Sequence, residues 1–299
     1  MKIMTIGNGF VADHLPYELI NEKLSLNNGW IRAVLDDYQP DVLINCIGKT
    51  GRPNIDWCEN NKEITAKTNT LLPVLLAEEC AKKSIHMIQI GSGCIYFGES
   101  PNKNSHLTER HDNTIKPGDS NYFYSAFELA DAGWKEEDFA NPKSFYSKSK
   151  YACDLMLSSM EHVTTLRIRM PISTKNNPRN LINKLRGYKQ VIDIPNSMTF
   201  MDDLTRCVDW AAKGRHTGIF HVTNPGPITA VQIIKEYQKH VPSHSFEIID
   251  EAQLDSLTVA KRSNCIINSD KLKNAGFTMT PSKEALKTCM AEYIKNIGD

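Results

Sequence analysis

The sequence predicts an α/β fold, a doubly wound parallel sheet carrying a smaller C-terminal subdomain, and three observations carry that expectation. Short apolar runs alternate with helical patterns over residues 1–170, the alternation that βαβ units produce. The run Val42 to Cys46 is apolar but for Asn45, as befits a buried strand covered by helices on either side. The first strand pattern, Lys2 to Ile6, passes at once into Gly7-Asn8-Gly9-Phe10-Val11-Ala12, a turn in which backbone N–H groups are able to approach a phosphate.

Composition narrows the function classes. With 299 residues and 40% hydrophobic content the chain has ample core, and its 35 basic and 35 acidic residues balance without a long run of either sign. That excludes the electrostatic footprint of a nucleic-acid or membrane-surface binder. The start runs into a strand pattern instead of a signal peptide, and no apolar stretch reaches the ~18 residues of a membrane span. A cytoplasmic location is therefore expected. Eight cysteines without a Cys-x-x-Cys pair point to reduced thiols, with no disulfide framework and no metal site.

The elements follow in order. After the glycine turn only Val11 to Leu15 is available for a helix before Pro16, so the first helix must be very short. Tyr17 to Ile20 reads as the second strand, leading to Asn21-Glu22-Lys23. Trp30 to Tyr38 reads as a helix with Ile31, Val34 and Leu35 on one stripe. The third strand, Val42 to Cys46, exits into a loop through Gly48, Arg52 and Asn54, and helices are expected over Asp56 to Thr68 and Thr70 to Lys83. His86 to Ile90 is the fourth strand, leading to Ser92 and Cys94, and Gly98 to Pro142 reads as a long polar loop. Val163 to Pro171 is a strand with Arg167 and Arg169 on one face. Beyond it come a helix opened by Asn177-Pro178-Arg179-Asn180, a strand at Gln190 to Ile194, a helix at Asp202 to Lys213 and a strand at Gly218 to Val222. A helix at Thr229 to His240, a strand at Phe246 to Ile249 and a final helix at Ser282 to Ile297 complete the chain.

Chemistry concentrates at Phe145-Tyr146-Ser147-Lys148-Ser149-Lys150. On a helix, Tyr146 and Lys150 lie one turn apart on the same face, so an ammonium stands beside a phenol and could lower its pKa toward a working range. The bare spacing is weak, because two surface residues give it as readily. Ser92 at a strand end is the hydroxyl such a pair needs to hold a carbonyl oxygen. Cys94, two residues on, points the same way under strand alternation. If the glycine turn holds a dinucleotide, Asn21 and Lys23 stand where an NAD-binding chain carries an acid. They suit a 2′-phosphate and hence NADPH, while Glu22 keeps NADH open.

The glycine loop, Ser92 and the Tyr146/Lys150 pair, in this order, resemble the extended short-chain dehydrogenase/reductases. The segments Gly51 to Glu59, Gly93 to Ile95, Arg167 to Ser173, Asn177 to Asn180 and Asp193 to Thr199 resemble the bifunctional UDP-4-keto-6-deoxyglucose 3,5-epimerase/4-reductases, and more distantly the dTDP-4-dehydrorhamnose reductases. The resemblance implies a Rossmann-like domain over residues 1–170 and a nucleotide-sugar subdomain over residues 171–299, interleaved and without a clean linker. It implies Ser92, Tyr146 and Lys150 as the reductase set and Cys94 and Lys184 as the epimerase pair. Gly7, Asn8, Gly9, Phe10, Val11, Gly48 and Asn69 would hold the cofactor, and Arg52, Asn180, Met198 and Arg262 a UDP-4-keto-6-deoxyhexose. A 4-reductase without epimerase activity, and a non-catalytic regulatory subunit, remain the alternatives. The oligomeric state stays open, with a homodimer as one possibility.

Overall fold

The computed structural model describes residues 1–23, 25–102 and 133–298; most of the Gly98 to Pro142 loop expected above lies outside them. Six parallel strands form the main sheet in the order β2-β1-β3-β4-β5-β7. They are β1 (Ile3–Ile6), β2 (Glu18–Ile20), β3 (Val42–Asn45), β4 (His86–Ser92), β5 (Val163–Ile168) and β7 (Gly218–Val222). Two further strands, β6 (Gln190–Ile192) and β8 (Glu247–Ile249), pair in parallel as a separate ribbon. The doubly wound parallel sheet is therefore as the sequence predicts.

Both faces are covered, because successive residues of a strand point to opposite sides. Leu43 and Met87 pack with α1 (Asn28–Tyr38) and α4 (Leu72–Lys82), whereas Val42, Ile44, Ile88 and Ile90 pack with the apolar stripe of the helix Met201–Gly214. Ile31, Val34 and Leu35 are buried on α1 as the stripe requires. A separate core of Leu181, Ile182, Leu185, Val231, Ile234, Met290 and Tyr293 holds the C-terminal part together.

Several boundaries differ, each for a local reason. Strand β4 runs two residues beyond Ile90, because Gly91 and Ser92 go on pairing with Arg167 and Ile168 of β5. A Cβ at Gly91 would sit 2.8 Å from the Thr165 methyl, so only glycine permits that approach. The expected helix from Asp56 to Thr68 is split into α2 (Asp56–Asn60) and α3 (Lys62–Ala66) by the non-helical backbone of Asn61. A π-helical turn, Lys67–Leu71, then leads into α4, with Pro73 in its first turn. The short helices Glu251–Ser256 and Asp270–Asn274 have too few residues to leave a period in the sequence.

The sheet's topology marks where a ligand would sit. The chain steps from β1 to β2 on one side and returns to β3 on the other, so the connections diverge between β1 and β3. In open α/β sheets the crevice beyond such a switch point is the ligand site. The loops leaving β1 and β3 meet there.

Candidate active site

Gly7 lies at that crevice with φ +96°, and a Cβ on it would come within 2.7 Å of the Ile47 nitrogen. Left-handed backbone and absent space both demand glycine. Beyond it the chain makes a single 3₁₀ turn, Ala12–His14, as short as Pro16 dictates. No N–H of Asn8, Gly9, Phe10 or Val11 has a hydrogen-bond acceptor among the described residues, and Gly9 has open space around its Cα. A cradle of free N–H groups of this kind fits a dinucleotide's pyrophosphate. With one turn in place of a long helix, the donors themselves would hold the anion with little help from a macrodipole. The Phe10 ring is buried against His14 at 4.8 Å, which leaves its backbone N–H to face the crevice. Asn21 and Lys23 stand exposed just past β2. Gly7→Ala should destabilise the fold by ~1–3 kcal/mol, the scale of forcing a side chain into such backbone, lowering the melting temperature by a few degrees. An unchanged melting temperature would refute the close contact with Ile47.

Gly48 opens the loop after β3, and Asn69, from the π-helical turn, sets that loop's path. The Asn69 amide is fully buried: its Oδ1 accepts from the Lys49 N–H at 2.7 Å, and its Nδ2 donates to the Lys49 carbonyl at 3.0 Å and the Ser149 hydroxyl at 3.1 Å. Asn69 therefore ties the loop to the helix that carries Tyr146, and its side chain has no group left for a cofactor.

That helix, Phe145–Leu157, is seated by its first turn. Ser144 caps it, accepting from the Ser147 N–H at 3.1 Å, and the Glu59 carboxylate accepts from the Phe145 N–H at 2.7 Å. The Ser147 hydroxyl donates to the Cys94 carbonyl at 2.6 Å, which fixes the turn after β4 against the helix. Tyr146 and Lys150 lie one turn apart, and the Tyr146 phenol is hydrogen-bonded to Ser92.

The electrostatics differ from the expectation in one respect. Burial is the main influence on the Tyr146 phenol and pushes its pKa up; the nearby Cys94 adds to this and the Ser92 hydrogen bond opposes it. The main influences on it do not include Lys150. Its ammonium is buried and donates to the Ile90 carbonyl at 2.9 Å, and its charge acts on Cys46, Cys153 and Asp154.

Cys94 reaches the site by a different route from the one alternation suggested. The strand ends at Ser92, and Gly93–Ile95 is a 3₁₀ turn capped by the Ser92 hydroxyl, which accepts from the Cys94 N–H at 3.2 Å. The thiol is nonetheless close enough to Tyr146 and to Lys184 to influence both. Lys184, on the helix Leu181–Gly187, has its pKa lowered first by burial and then by Arg179 and Arg262, against the pull of Cys94. An amine displaced toward its neutral form is suited to proton transfer.

The substrate-side residues divide. Arg52 is exposed, without a hydrogen bond or ion pair to a described residue. Arg262 forms a forked pair with Asp56 at 2.8 and 3.0 Å, and Asp56 also accepts from the Ala260 N–H at 2.8 Å. Burial works against the Asp56 carboxylate, but the hydrogen bonds from Arg262 and the backbone outweigh it and hold its pKa low. Arg179 reaches the Thr50 hydroxyl at 2.9 Å, joining the loop after β3 to the C-terminal part. The side chains of Asn180 and Met198 are engaged within the protein. Asn180 is buried, its carbonyl accepting from Ser173 and Ile182 and its amide donating to the Ser173 and Lys175 carbonyls, so it caps a helix and offers no side-chain atom to a ligand. Met198 has no exposed surface and belongs to the C-terminal core.

Sequence reasoning missed Arg179, Asp56, Ser147 and the individual role of Arg169. Ser144-x-x-Ser147 ahead of an apolar stripe was a legible capping signal; the arginine contacts depend on distant loops and left no local trace.

A family model described as the RmlD substrate binding domain matches residues 24–295. The chain belongs to this RmlD family. A bifunctional dTDP-4-dehydrorhamnose 3,5-epimerase/dTDP-4-dehydrorhamnose reductase of Arabidopsis thaliana is 36% identical over 259 residues, covering 86% of this chain and 78% of that protein. A trifunctional UDP-glucose 4,6-dehydratase/UDP-4-keto-6-deoxy-D-glucose 3,5-epimerase/UDP-4-keto-L-rhamnose-reductase of the same plant is 35% identical over 257 residues, which is 85% of this chain and 35% of that protein. Among solved structures, the L780 UDP-rhamnose synthase of Acanthamoeba polyphaga mimivirus superposes with TM-score 0.82 at 26% identity over 98% of this chain and 99% of that one. A dTDP-4-dehydrorhamnose reductase of Bacillus anthracis in complex with NADP shares the fold, with TM-score 0.76 at 16% identity over 99% of each chain. The relationship read from the Gly51 to Glu59 and Asp193 to Thr199 segments is thus borne out. The RmlD family supports a reductase on a Rossmann-like sheet. Among the described residues no helix is long and apolar enough to cross a membrane.

Proposed function

We propose that this RmlD-family protein converts UDP-4-keto-6-deoxy-D-glucose to UDP-L-rhamnose, by epimerisation at C3 and C5 followed by NADPH-dependent reduction of the C4 ketone. What supports this reading above all is the proximity of two sets of groups: Tyr146 with Ser92, and Cys94 with Lys184, with the Cys94 thiol influencing both Tyr146 and Lys184. One bound sugar ring could meet both sets.

The free N–H groups of Asn8 to Val11 would hold the cofactor's pyrophosphate, Asn21 and Lys23 its 2′-phosphate, and Lys150 its nicotinamide-side ribose. NADPH, when bound, supplies the hydride. Ser92 holds the C4 oxygen, and Tyr146, which burial keeps protonated, donates a proton to that oxygen as negative charge develops on it. Cys94 and Lys184 act earlier, one removing a proton α to the ketone and the other returning one to the opposite face. Arg52, Arg179 and Arg262 lie where a diphosphate could be gripped, Arg262 through the forked geometry it now offers Asp56.

The direct test is incubation with UDP-4-keto-6-deoxy-D-glucose and NADPH, following absorbance at 340 nm and identifying the product by NMR. UDP-L-rhamnose is expected; a D-configured 6-deoxyhexose would leave a 4-reductase without epimerase activity, and no oxidation above background by the folded protein would favour a regulatory role. NADPH should be preferred to NADH, because Lys23 gains a charge-assisted bond only with the 2′-phosphate. Lys23→Glu should erase or reverse that preference in kcat/KM. Equal kcat/KM for the two cofactors in the unmutated protein would sink the assignment.

A further inference from the structure

Arg169 heads the fully buried side chains by size among the described residues, at 1% exposure, and a guanidinium does not shed its charge in a protein. Burying a charge is costly unless an opposite charge or a full set of hydrogen bonds accompanies it. Arg167, two residues earlier, obeys the rule: its Nε donates to the Asp154 carboxylate at 2.8 Å. Arg169 has no carboxylate within salt-bridge distance among the described residues. Its Nη2 donates to Asn196 Oδ1 and, at 2.5 Å, to the Ser263 carbonyl. Its Nη1 donates to the Ser263 hydroxyl at 2.8 Å and to the Cys94 sulfur at 3.5 Å, while Nε is buried with no partner. Asn196 and Ser263 are neutral. Among the described residues that accept a hydrogen bond from the Arg169 guanidinium, only the Cys94 sulfur is able to become an anion; the Cys265 thiol also feels its charge but is pushed up by burial.

We propose that Arg169 is a positioning residue for Cys94: it aims the sulfur into the cleft and supplies the counter-charge for that sulfur's anionic form. The inference rests on the reading of Cys94 as an acid–base group in the epimerisation. When the sulfur gives its proton to a sugar carbon, it keeps the bonding electron pair. When it takes a proton from carbon, the C–H pair passes to the neighbouring carbonyl as an enolate. In both directions the negative charge on sulfur stands against the same guanidinium. The other groups around Cys94 are Tyr146, Lys184 and Cys265, with the Ser92 hydroxyl accepting its N–H. Burial favours the neutral forms of Tyr146, Lys184 and Cys265, which leaves Arg169 as the fixed cation. Asn196 and Ser263 come from segments far apart in sequence and both hold this side chain, while Asn196 also accepts from the Cys265 N–H at 3.0 Å and the Ser263 hydroxyl donates to the Tyr96 carbonyl.

The test reads the sulfur without any sugar present. Alkylation of Cys94 by iodoacetamide is followed by mass spectrometry of its peptide as pH is varied. Cys94 and Cys46 are the two cysteines that are not buried, and burial pushes the Cys46 thiol up to about 12, so the Cys94 signal stands alone. Arg169→Gln should slow alkylation at pH 7 by about tenfold or more and move the profile to higher pH, since the thiolate is the reacting form. Arg169→Lys, which keeps a charge but not the fork, should recover part of the loss. Superimposable profiles for Arg169→Gln and the unmutated protein overturn the proposal. If Arg169→Gln does not fold, the unmutated protein decides. A free thiol titrating near ~8.5 should react roughly 50-fold faster at pH 8.5 than at pH 6.5; a much smaller ratio at Cys94 is expected, and a ratio equal to that of free cysteine overturns the proposal. If the profile depends on Arg169 but the unmutated protein exchanges no deuterium into the sugar, the functional reading fails and the counter-charge stands.

Discussion

Replacing Tyr146 by Phe should lower kcat for reduction of the 4-keto sugar by about 10²–10⁴, the usual cost of losing an acid–base group in the transition state. The ring keeps its place on the helix, so what disappears is the hydroxyl and its bond to Ser92. Cofactor affinity should change little, because the glycine cradle and Lys150 are untouched. Single-turnover oxidation of NADPH at 340 nm reads the effect free of product release. A rate near that of the unmutated protein would place the proton donor elsewhere. A smaller fall is expected for Ser92→Ala, which removes one hydrogen bond to the substrate oxygen and leaves the donor in place.

Cys94→Ala should abolish exchange of solvent deuterium into C3 and C5, because the proposed epimerisation needs two acid–base groups and the substitution removes one of them. Reduction of a 4-keto sugar supplied already in the L-configuration should fall by much less, so the substitution separates the two steps. The thiol is partly exposed, so little of the effect should come from lost packing. Exchange persisting undiminished in both Cys94→Ala and Lys184→Ala would eliminate the pair and leave reduction alone.

Much of the site was legible because its groups are set by local rules. The Tyr146 to Lys150 spacing needs only a helix, and Ser144 with the apolar stripe of Cys153 and Leu157 supplies one. Gly7 announces its own turn, and its close approach to Ile47 explains why a glycine stands there. Long-range contacts were not legible in that way. Asn180 and Met198 sit inside sequence segments that mark the family, yet the structure spends one on a helix cap and the other on the core. A family segment tells where a site is built without telling which of its side chains face the ligand. Cys94 lies on a serine-capped 3₁₀ turn in place of the expected strand, so alternation does not set its direction. The split of Asp56 to Thr68 into two helices and a π-helical turn was hidden because all of its residues tolerate a helix. That turn is what brings Asn69 to the loop after β3.

The reading of this RmlD-family protein as an epimerase and a reductase in one cleft is tested most directly by a single reaction in D₂O. The unmutated protein is given UDP-4-keto-6-deoxy-D-glucose with NADPH, and the product is examined by NMR. UDP-L-rhamnose is expected, with deuterium at both C3 and C5 and with hydrogen at C4, delivered as hydride by the cofactor. A 6-deoxyhexose that keeps the D-configuration and carries hydrogen at C3 and C5 would contradict that reading.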